Sequence, residues 1–248
     1  MKKIIIGNWK MYGDPAMAAA LAQSIVKNTA GKANNAQVVI CPPAILLPHV
    51  APHLSGSTIK LGGQDCHIQP DGAYTGDISA LMLKQAGCTH VLVGHSERRK
   101  FHHEQDIDVR HKAARAVKTG LIPVICIGES EEERKAGKTK DILAQQIREC
   151  IPEEAIQGDF ILAYEPVWAI GSGKTPTMGD ISDIHAYIIS LAARRTGMDS
   201  ASIPVIYGGS VKADNAREIM AAEAVSGVLV GGASLKAEEF CRIVAAAT

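Results

Sequence analysis

The stretch IIIGNWK, residues 4–10, helps to decide between the two folds that strands alternating with helices can form. Three isoleucines make a short apolar run, which is typical of a strand buried on both faces. An open, doubly wound sheet is expected to carry a glycine-rich turn after an early strand, and residues 7–10 do not form one. The stretch therefore favours a closed barrel, if similar runs recur along the chain.

Seven further apolar runs, each bounded by glycine or proline, do recur. Parallel strands need crossover helices, and closing the sheet removes its exposed edges. Eight such units in 248 residues predict an α/β fold, a (β/α)8 TIM barrel of eight parallel strands ringed by helices, with residues 1–248 as a single domain. The predicted strands are residues 4–6, 38–41, 59–61, 91–93, 124–127, 160–164, 204–207 and 228–230.

Helix signals lie between these runs. Asp14 followed by Pro15 predicts an N-cap and a first helical residue, and Ser130 with Glu133 predicts a capping box. Predicted C-caps are Gly87, Gly120 and Gly197. The chain thus reads as strand and helix in alternation.

Composition excludes several classes of partner. Twenty-six basic residues balance 26 acidic ones without a run of five like charges, so no surface for nucleic acid or anionic lipid is predicted. The first apolar run ends at Ile6, too soon for a signal peptide or a membrane span, and a cytoplasmic location is expected. Neither the six scattered cysteines nor the adjacent His102 and His103 have metal-ligand spacing, so no metal site is predicted.

The segment AYEPVWAIGSGKTPT, residues 163–177, contains the last residues of a P-loop. A P-loop needs a glycine five residues before Gly173, where this chain has Trp168. The dinucleotide pattern needs one three residues after Gly173, where the chain has Pro176. Both nucleotide motifs therefore fail, and the glycines require another explanation.

Polar and glycine residues follow five of the predicted strands. Because barrel enzymes carry their active sites at the C-terminal ends of the strands, these residues are candidates for catalysis and binding. Each one alone could be an ordinary loop residue, but a carboxylate, an imidazole and a lysine together suit a proton-transfer site. Paired glycines after the last two strands are typical of phosphate-binding turns. The candidates are Asn8, Lys10, His95, Glu165, Ser210, Gly231 and Gly232.

The chain resembles the triosephosphate isomerase family over essentially its full length. The shared motifs occur in the order and spacing of that family, which makes the resemblance highly specific. They are GNWK at 7–10, GHSERR at 94–99, CIGE at 126–129, AYEPVWAIGSGKT at 163–175, YGGSV at 207–211 and VGGASLK at 230–236.

The resemblance implies interconversion of dihydroxyacetone phosphate and D-glyceraldehyde 3-phosphate through an enediolate, in glycolysis and gluconeogenesis, without cofactor or metal. Glu165 would be the base, and His95 would polarise the substrate oxygens as a neutral imidazole. Lys10 would stabilise negative charge, and Asn8 would help to hold the substrate. A helix beginning directly after His95 would disfavour the imidazolium.

Two neighbours of these residues have implied supporting roles. Ser96 resembles the residue that hydrogen-bonds the catalytic glutamate in the open state. Glu97 resembles the residue that supports Lys10 by charge pairing.

Residues 166–176 resemble the mobile lid of the family, with Gly173, Lys174 and Thr175 at its far hinge. Closure would place the Gly171 amide on the substrate phosphate, together with Ser210, Gly231 and Gly232. Excluding water should also hinder loss of phosphate from the enediolate.

GAYTGD, residues 72–77, resembles the loop that family members insert into a partner subunit, with Thr75 near its tip. A homodimer is therefore implied by the resemblance, although two glycines would equally suit an exposed turn. Tyr12 and Ser172 depart from the commonest residues of the family, asparagine and threonine. Neither departure affects the catalytic set, but Tyr12 lies where it could alter the subunit contact.

Two other functions fit parts of the pattern. A non-catalytic barrel that binds phosphorylated metabolites would need the glycine turns but not Lys10, His95 and Glu165. A Schiff-base aldolase would use Lys10 as its nucleophile and would leave Glu165 and the lid unexplained.

Overall fold

The computed structural model describes residues 2–31, 36–157, 159–169 and 176–247. Eight parallel strands follow one another in chain order around a closed barrel, because β1 pairs with β8 as well as with β2. The predicted (β/α)8 architecture is therefore confirmed. The strands are β1 (Lys3–Asn8), β2 (Ala36–Cys41), β3 (Lys60–Gly63), β4 (Cys88–Val93), β5 (Ile122–Ile127), β6 (Ile161–Tyr164), β7 (Val205–Tyr207) and β8 (Gly227–Val230).

Helices cover the outside of the barrel, and none within the described ranges is long and apolar enough to cross a membrane. They are α1 (Pro15–Thr29), α2 (Leu47–Leu54), α3 (Ala80–Gln85), α4 (Ser96–His102), α5 (Asp106–Lys118), α6 (Glu131–Lys135), α7 (Thr139–Cys150), α8 (Met178–Thr196), α9 (Ala216–Ala221) and α10 (Ala237–Ala245). Short 3₁₀ turns occupy Ala44–Leu46, Glu153–Gln157, Val167–Ala169, Ser200–Ser202 and Gly232–Leu235.

The predicted N-terminal caps and one of the three predicted C-caps, Gly197, are present. The Asp14 carboxylate accepts the Met17 N–H at 2.8 Å, and Ser130 and Glu133 form a reciprocal capping box. Gly197 ends α8 with a φ of 73°, a left-handed conformation that glycine adopts without steric cost. Gly87 and Gly120 also have positive φ, but each lies one residue beyond the C-cap of its helix, which is Ala86 for α3 and Thr119 for α5. Local side-chain chemistry therefore sets these helix ends.

Both faces of the strands are buried, which explains their unbroken apolar runs. On β1, Ile4 and Ile6 point into the barrel and belong to its inner cluster, whereas Ile5 packs outward with the helices. The same alternation brings Asn8 to the inner face at the end of β1. On β6, Ile161 and Ala163 lie in the inner cluster, and Glu165 continues that series. Because alternate residues of a strand point to the same face, the inward apolar residues of β1 and β6 are followed by the inward site residues Asn8 and Glu165.

The third strand differs from its predicted bounds. It begins at Lys60 and continues through Gly62 and Gly63, beyond the apolar run 59–61. A Cβ atom at Gly62 would lie 2.6 Å from the sulfur of Cys41, so this inward position suits only glycine. A search for apolar runs misses such residues, because their place in the strand depends on a neighbouring strand.

Candidate active site

A cavity of about 600 Å³ opens at the C-terminal ends of the strands. The four predicted catalytic residues and three further predicted substrate contacts, Ser210, Gly231 and Gly232, share it, whereas Gly171 and residues 173–175 lie outside the described ranges. Its lining is Asn8, Lys10, His95, Glu165, Gly208, Gly209, Ser210, Val211, Lys212, Leu229, Gly231, Gly232, Ala233, Lys236 and Glu239. The fold therefore brings residues from β1, β4, β6, β7 and β8 to one space.

Glu165 and His95 are in direct contact at the bottom of this cavity. Nε2 of His95 lies 3.0 Å from Oε1 of Glu165, and the side chains are only 8% and 3% exposed. The other carboxylate oxygen of Glu165 accepts the backbone N–H of Ser96 at 2.9 Å. Ser96 thus contacts the glutamate, as the resemblance implied.

Close backbone packing holds Glu165 in place. Its N–H donates to the Ile127 carbonyl at 2.8 Å, which continues the pairing of β6 with β5. A Cβ atom on Gly128 would lie 1.8 Å from the Glu165 carbonyl oxygen. Gln146 in turn bonds both backbone polar groups of Gly128, at 2.8 and 3.2 Å. The backbone of Glu165 can therefore lie this close to residue 128 only because residue 128 is glycine.

The contacts of His95 assign its protons. Nδ1 accepts the N–H of Glu97 at 3.2 Å, so Nε2 carries the hydrogen that points toward Glu165. Burial lowers the pKa of His95, but the Glu165 carboxylate outweighs it and the net direction is upward. The hydrogen bond from the Glu97 N–H thus favours the predicted neutral imidazole. The Glu165 carboxylate favours the protonated form as long as it contacts His95.

The pKa of Glu165 moves the other way. Burial raises it, but the His95 side chain and the Ser96 N–H outweigh that effect, and the net pKa lies below the usual value for glutamate. The carboxylate is therefore ionised at neutral pH and able to accept a proton.

Lys10 reaches the cavity from the end of β1 in a strained conformation. Its φ is 53°, which is uncommon for a residue with a side chain, and its N–H donates to the Asn8 side chain at 2.9 Å. Its ammonium group lies 2.5 Å from the Glu97 carboxylate, the pairing that the resemblance implied. Lys10 thus brings a positive charge to the cavity that also contains the His95 imidazole and the Glu165 carboxylate.

Two glycine turns form the opposite wall. A Cβ atom on Gly209 would lie 2.1 Å from the Tyr207 hydroxyl, so this turn packs tightly on the ring beneath it. Ser210 donates its hydroxyl to the Ala169 carbonyl at 2.9 Å, which ties the turn to the segment after Glu165. Gly231 and Gly232 line the wall without side chains. Backbone amides in such turns suit an anion.

Glu129 was not among the predicted site residues, although two of the quoted motifs contain it and its partners. It is fully buried, and it accepts hydrogen bonds from the Tyr164 hydroxyl at 3.1 Å and from the Trp168 indole at 2.8 Å. The Arg134 guanidinium lies 4.0 Å from the Trp168 ring centre. Burial raises the pKa of Glu129 above its usual value. These contacts anchor the segment that leaves Glu165.

Comparisons with known proteins point to one family. The family model described as "Triosephosphate isomerase" matches residues 3–247. Two curated relatives bear the name triosephosphate isomerase. The one from Acidiphilium cryptum (strain JF-5) is 44% identical, covering 100% of this chain and 99% of its own. The one from Jannaschia sp. (strain CCS1) is 46% identical, covering 99% and 98%.

A solved structure is similar throughout. It is the crystal structure of triosephosphate isomerase from Bartonella henselae at 1.6 Å resolution, which is 42% identical to this chain. The match covers 98% of both chains with a TM-score of 0.90.

Proposed function

The chain belongs to the triosephosphate isomerase family, and we propose that Glu165, His95, Lys10 and Asn8 carry out its reaction. The reaction is the interconversion of dihydroxyacetone phosphate and D-glyceraldehyde 3-phosphate, a step of glycolysis and gluconeogenesis. The convergence of the first three side chains on one cavity is the observation that supports this assignment best.

Glu165 acts as the base in this proposal. It takes a proton from one carbon of the bound triose phosphate and returns it to the neighbouring carbon, with an enediolate between the two steps. Its lowered pKa keeps the carboxylate ready to accept the proton. Its nearly complete burial keeps water from competing for that proton.

His95 and Lys10 stabilise the charge that forms on the substrate oxygens. The Nε2 hydrogen of His95, which points toward Glu165 in the described chain, donates to those oxygens when substrate lies between the two side chains. The Lys10 ammonium supplies a positive charge at the same cavity. Asn8 holds the substrate and, through its contact with the Lys10 N–H, the turn that carries the lysine.

The phosphate group binds at the two glycine turns. Gly231 and Gly232 offer backbone amides, and Ser210 adds a further donor once its hydroxyl leaves the Ala169 carbonyl. Gly171 completes this set on the basis of the family resemblance. Closure of residues 166–176 over the substrate excludes water and limits loss of phosphate from the enediolate.

An aldolase mechanism receives no support from the site. A Schiff-base lysine must lose its proton, usually through an apolar pocket or a cationic neighbour. Lys10 instead lies 2.5 Å from an anionic neighbour, the Glu97 carboxylate.

We further propose a homodimer in which the loop around Thr75 enters the partner subunit. Large apolar side chains are exposed on the single chain, among them Met11, Ile45 and Phe101, and Tyr74 directly beside Thr75 in the loop itself. The expected particle in sedimentation equilibrium has twice the mass of the 26.3 kDa chain. A single-chain mass at micromolar concentration would contradict the homodimer.

The last two proposals concern the chain as a whole. Residues 1–248 form a single domain, which is supported by the pairing of the first strand with the last. The enzyme acts in the cytoplasm, and the absence of a disulfide among its six cysteines in the described residues suits a reducing compartment.

The direct test is a coupled assay of the purified protein after treatment with a chelator. We expect rapid conversion of D-glyceraldehyde 3-phosphate to dihydroxyacetone phosphate without added metal or cofactor. A folded protein that binds phosphate compounds and isomerises none would instead indicate the non-catalytic binding barrel.

A further inference from the structure

Gln64, the first residue after β3, bridges two backbone carbonyls at the edge of the site. Its side-chain nitrogen donates to the Lys10 carbonyl at 2.8 Å and to the Cys41 carbonyl at 2.9 Å. Both acceptors are carbonyl oxygens, so only one orientation of the amide satisfies them, and both of its hydrogens are used. Gln64 thus joins the turn after β1 to the end of β2.

The backbone of the turn that carries Lys10 is strained. Lys10 has a φ of 53°, a conformation that persists only where surrounding contacts determine it. The next side chain, Met11, is 94% exposed on the single chain, so packing within this chain does not hold the backbone beyond the lysine. The Lys10 N–H is held by Asn8 and its carbonyl by Gln64. Hydrogen bonds on both sides of one residue therefore maintain the strained backbone.

The second acceptor, the Cys41 carbonyl, belongs to a buried residue of β2. The Cys41 carbonyl also accepts the N–H of Trp9 at 3.1 Å, and both Cys41 and Trp9 are fully buried. Gln64 consequently ties the backbone of Lys10 to a strand of the barrel rather than to another loop.

We propose that Gln64 is a positioning residue for Lys10, whose amide holds the strained turn so that the ammonium group is delivered to the cavity. This inference rests on the role proposed above for Lys10. Gln64 does not line the cavity, and it acts on the reaction through the lysine alone.

Two substitutions test whether the Gln64 side-chain amide positions Lys10. Gln64→Met keeps the length of the side chain and removes both donors. Gln64→Glu places carboxylate oxygens against two carbonyls. We expect kcat/KM to fall by about tenfold to a hundredfold for Gln64→Met, the usual effect of losing two such hydrogen bonds, and further for Gln64→Glu.

Gln37→Met is the matched control. Gln37 is half-buried like Gln64, and its amide contacts the His90 ring at 2.9 Å inside the barrel, away from the cavity. We expect it to lower the thermal midpoint while leaving kcat/KM within about twofold of the parent.

A double-mutant cycle separates positioning from general support. In a Lys10→Met background, which itself should lose most activity, Gln64→Met is expected to change kcat/KM by less than about twofold. Wild-type kcat/KM in Gln64→Met, or an undiminished effect of this substitution in the Lys10→Met background, would overturn the proposal. If Lys10→Met itself kept full activity, the proposed function of Lys10 would fail instead, so the two failures are distinguishable.

Discussion

His95 Nε2 lies 3.0 Å from Glu165 Oε1, and the two side chains are almost completely buried together. One side chain carries the hydrogen and the other accepts it, because the Glu97 N–H occupies His95 Nδ1. A substrate oxygen or carbon that enters between them meets a donor on one side and a base on the other. This arrangement has the two functions that an aldose–ketose isomerisation requires.

Glu165→Gln should lower kcat by about 10²- to 10⁴-fold, the usual contribution of a placed general base. The substitution preserves shape, so the thermal midpoint should change little. The coupled assay and a circular dichroism melt measure the two quantities. A substituted enzyme with a near-normal rate would contradict the assignment of the base.

Sodium borohydride added with substrate should leave the enzyme active. The proposed mechanism uses Lys10 as an ion-paired cation and not as a nucleophile, so no imine forms for the reagent to reduce. Residual activity and the intact mass of the protein are measured after the reagent is removed. A covalent substrate adduct on Lys10 would favour the aldolase mechanism.

Gly209→Ala should raise KM and destabilise the fold. The added Cβ would lie 2.1 Å from the Tyr207 hydroxyl, and this ring is fully buried and cannot move freely. Overpacking of this kind costs about 1–3 kcal/mol and would shift the phosphate-binding turn. Urea unfolding and steady-state kinetics report the two effects.

Gly179→Ala is the control for this substitution. Gly179 lies in the first turn of α8, where a Cβ atom would be no closer than 3.8 Å to any neighbour among the described residues. We expect unchanged kinetics and equal or slightly higher stability. Equal behaviour of the two alanine variants would refute the packing argument.

His90 should make the protein less stable in mild acid. The ring lies inside the barrel, where burial and the charge of Lys60 lower its pKa to about 4 from the usual 6.5. An unfolded chain binds the proton near pH 6.5 and the folded chain only near pH 4. The free energy of unfolding therefore decreases as the pH is lowered from about 6.5 to about 4, by about 3 kcal/mol for this group.

His90→Leu tests this pH dependence. Urea unfolding at pH 7.5 and at pH 4.5 should show a smaller difference in the variant than in the parent, whatever the absolute stability of the variant. The same difference in both proteins would show that His90 is not the group responsible.

The fold could be predicted because its signal is local. Each strand is buried on both faces and therefore appears as an apolar run, and each helix end is marked by a residue that bonds its own turn. The candidates for catalysis followed from the same pattern, since Asn8 and Glu165 continue the inward series of β1 and β6. A single sequence thus determined the barrel and the face that carries the chemistry.

Only the tertiary structure decided how those residues are held. Gln64 and Lys10 are 54 positions apart, and β3 reaches Gln64 through two glycines whose place in the sheet depends on Cys41 and Leu83. Glu129 is likewise 39 positions from Trp168. No local pattern encodes such pairs, because a hydrogen bond across strands depends on register and closure rather than on neighbours in the chain. The sequence alone therefore determined which groups could act, and barrel closure decided which contacts hold them in place.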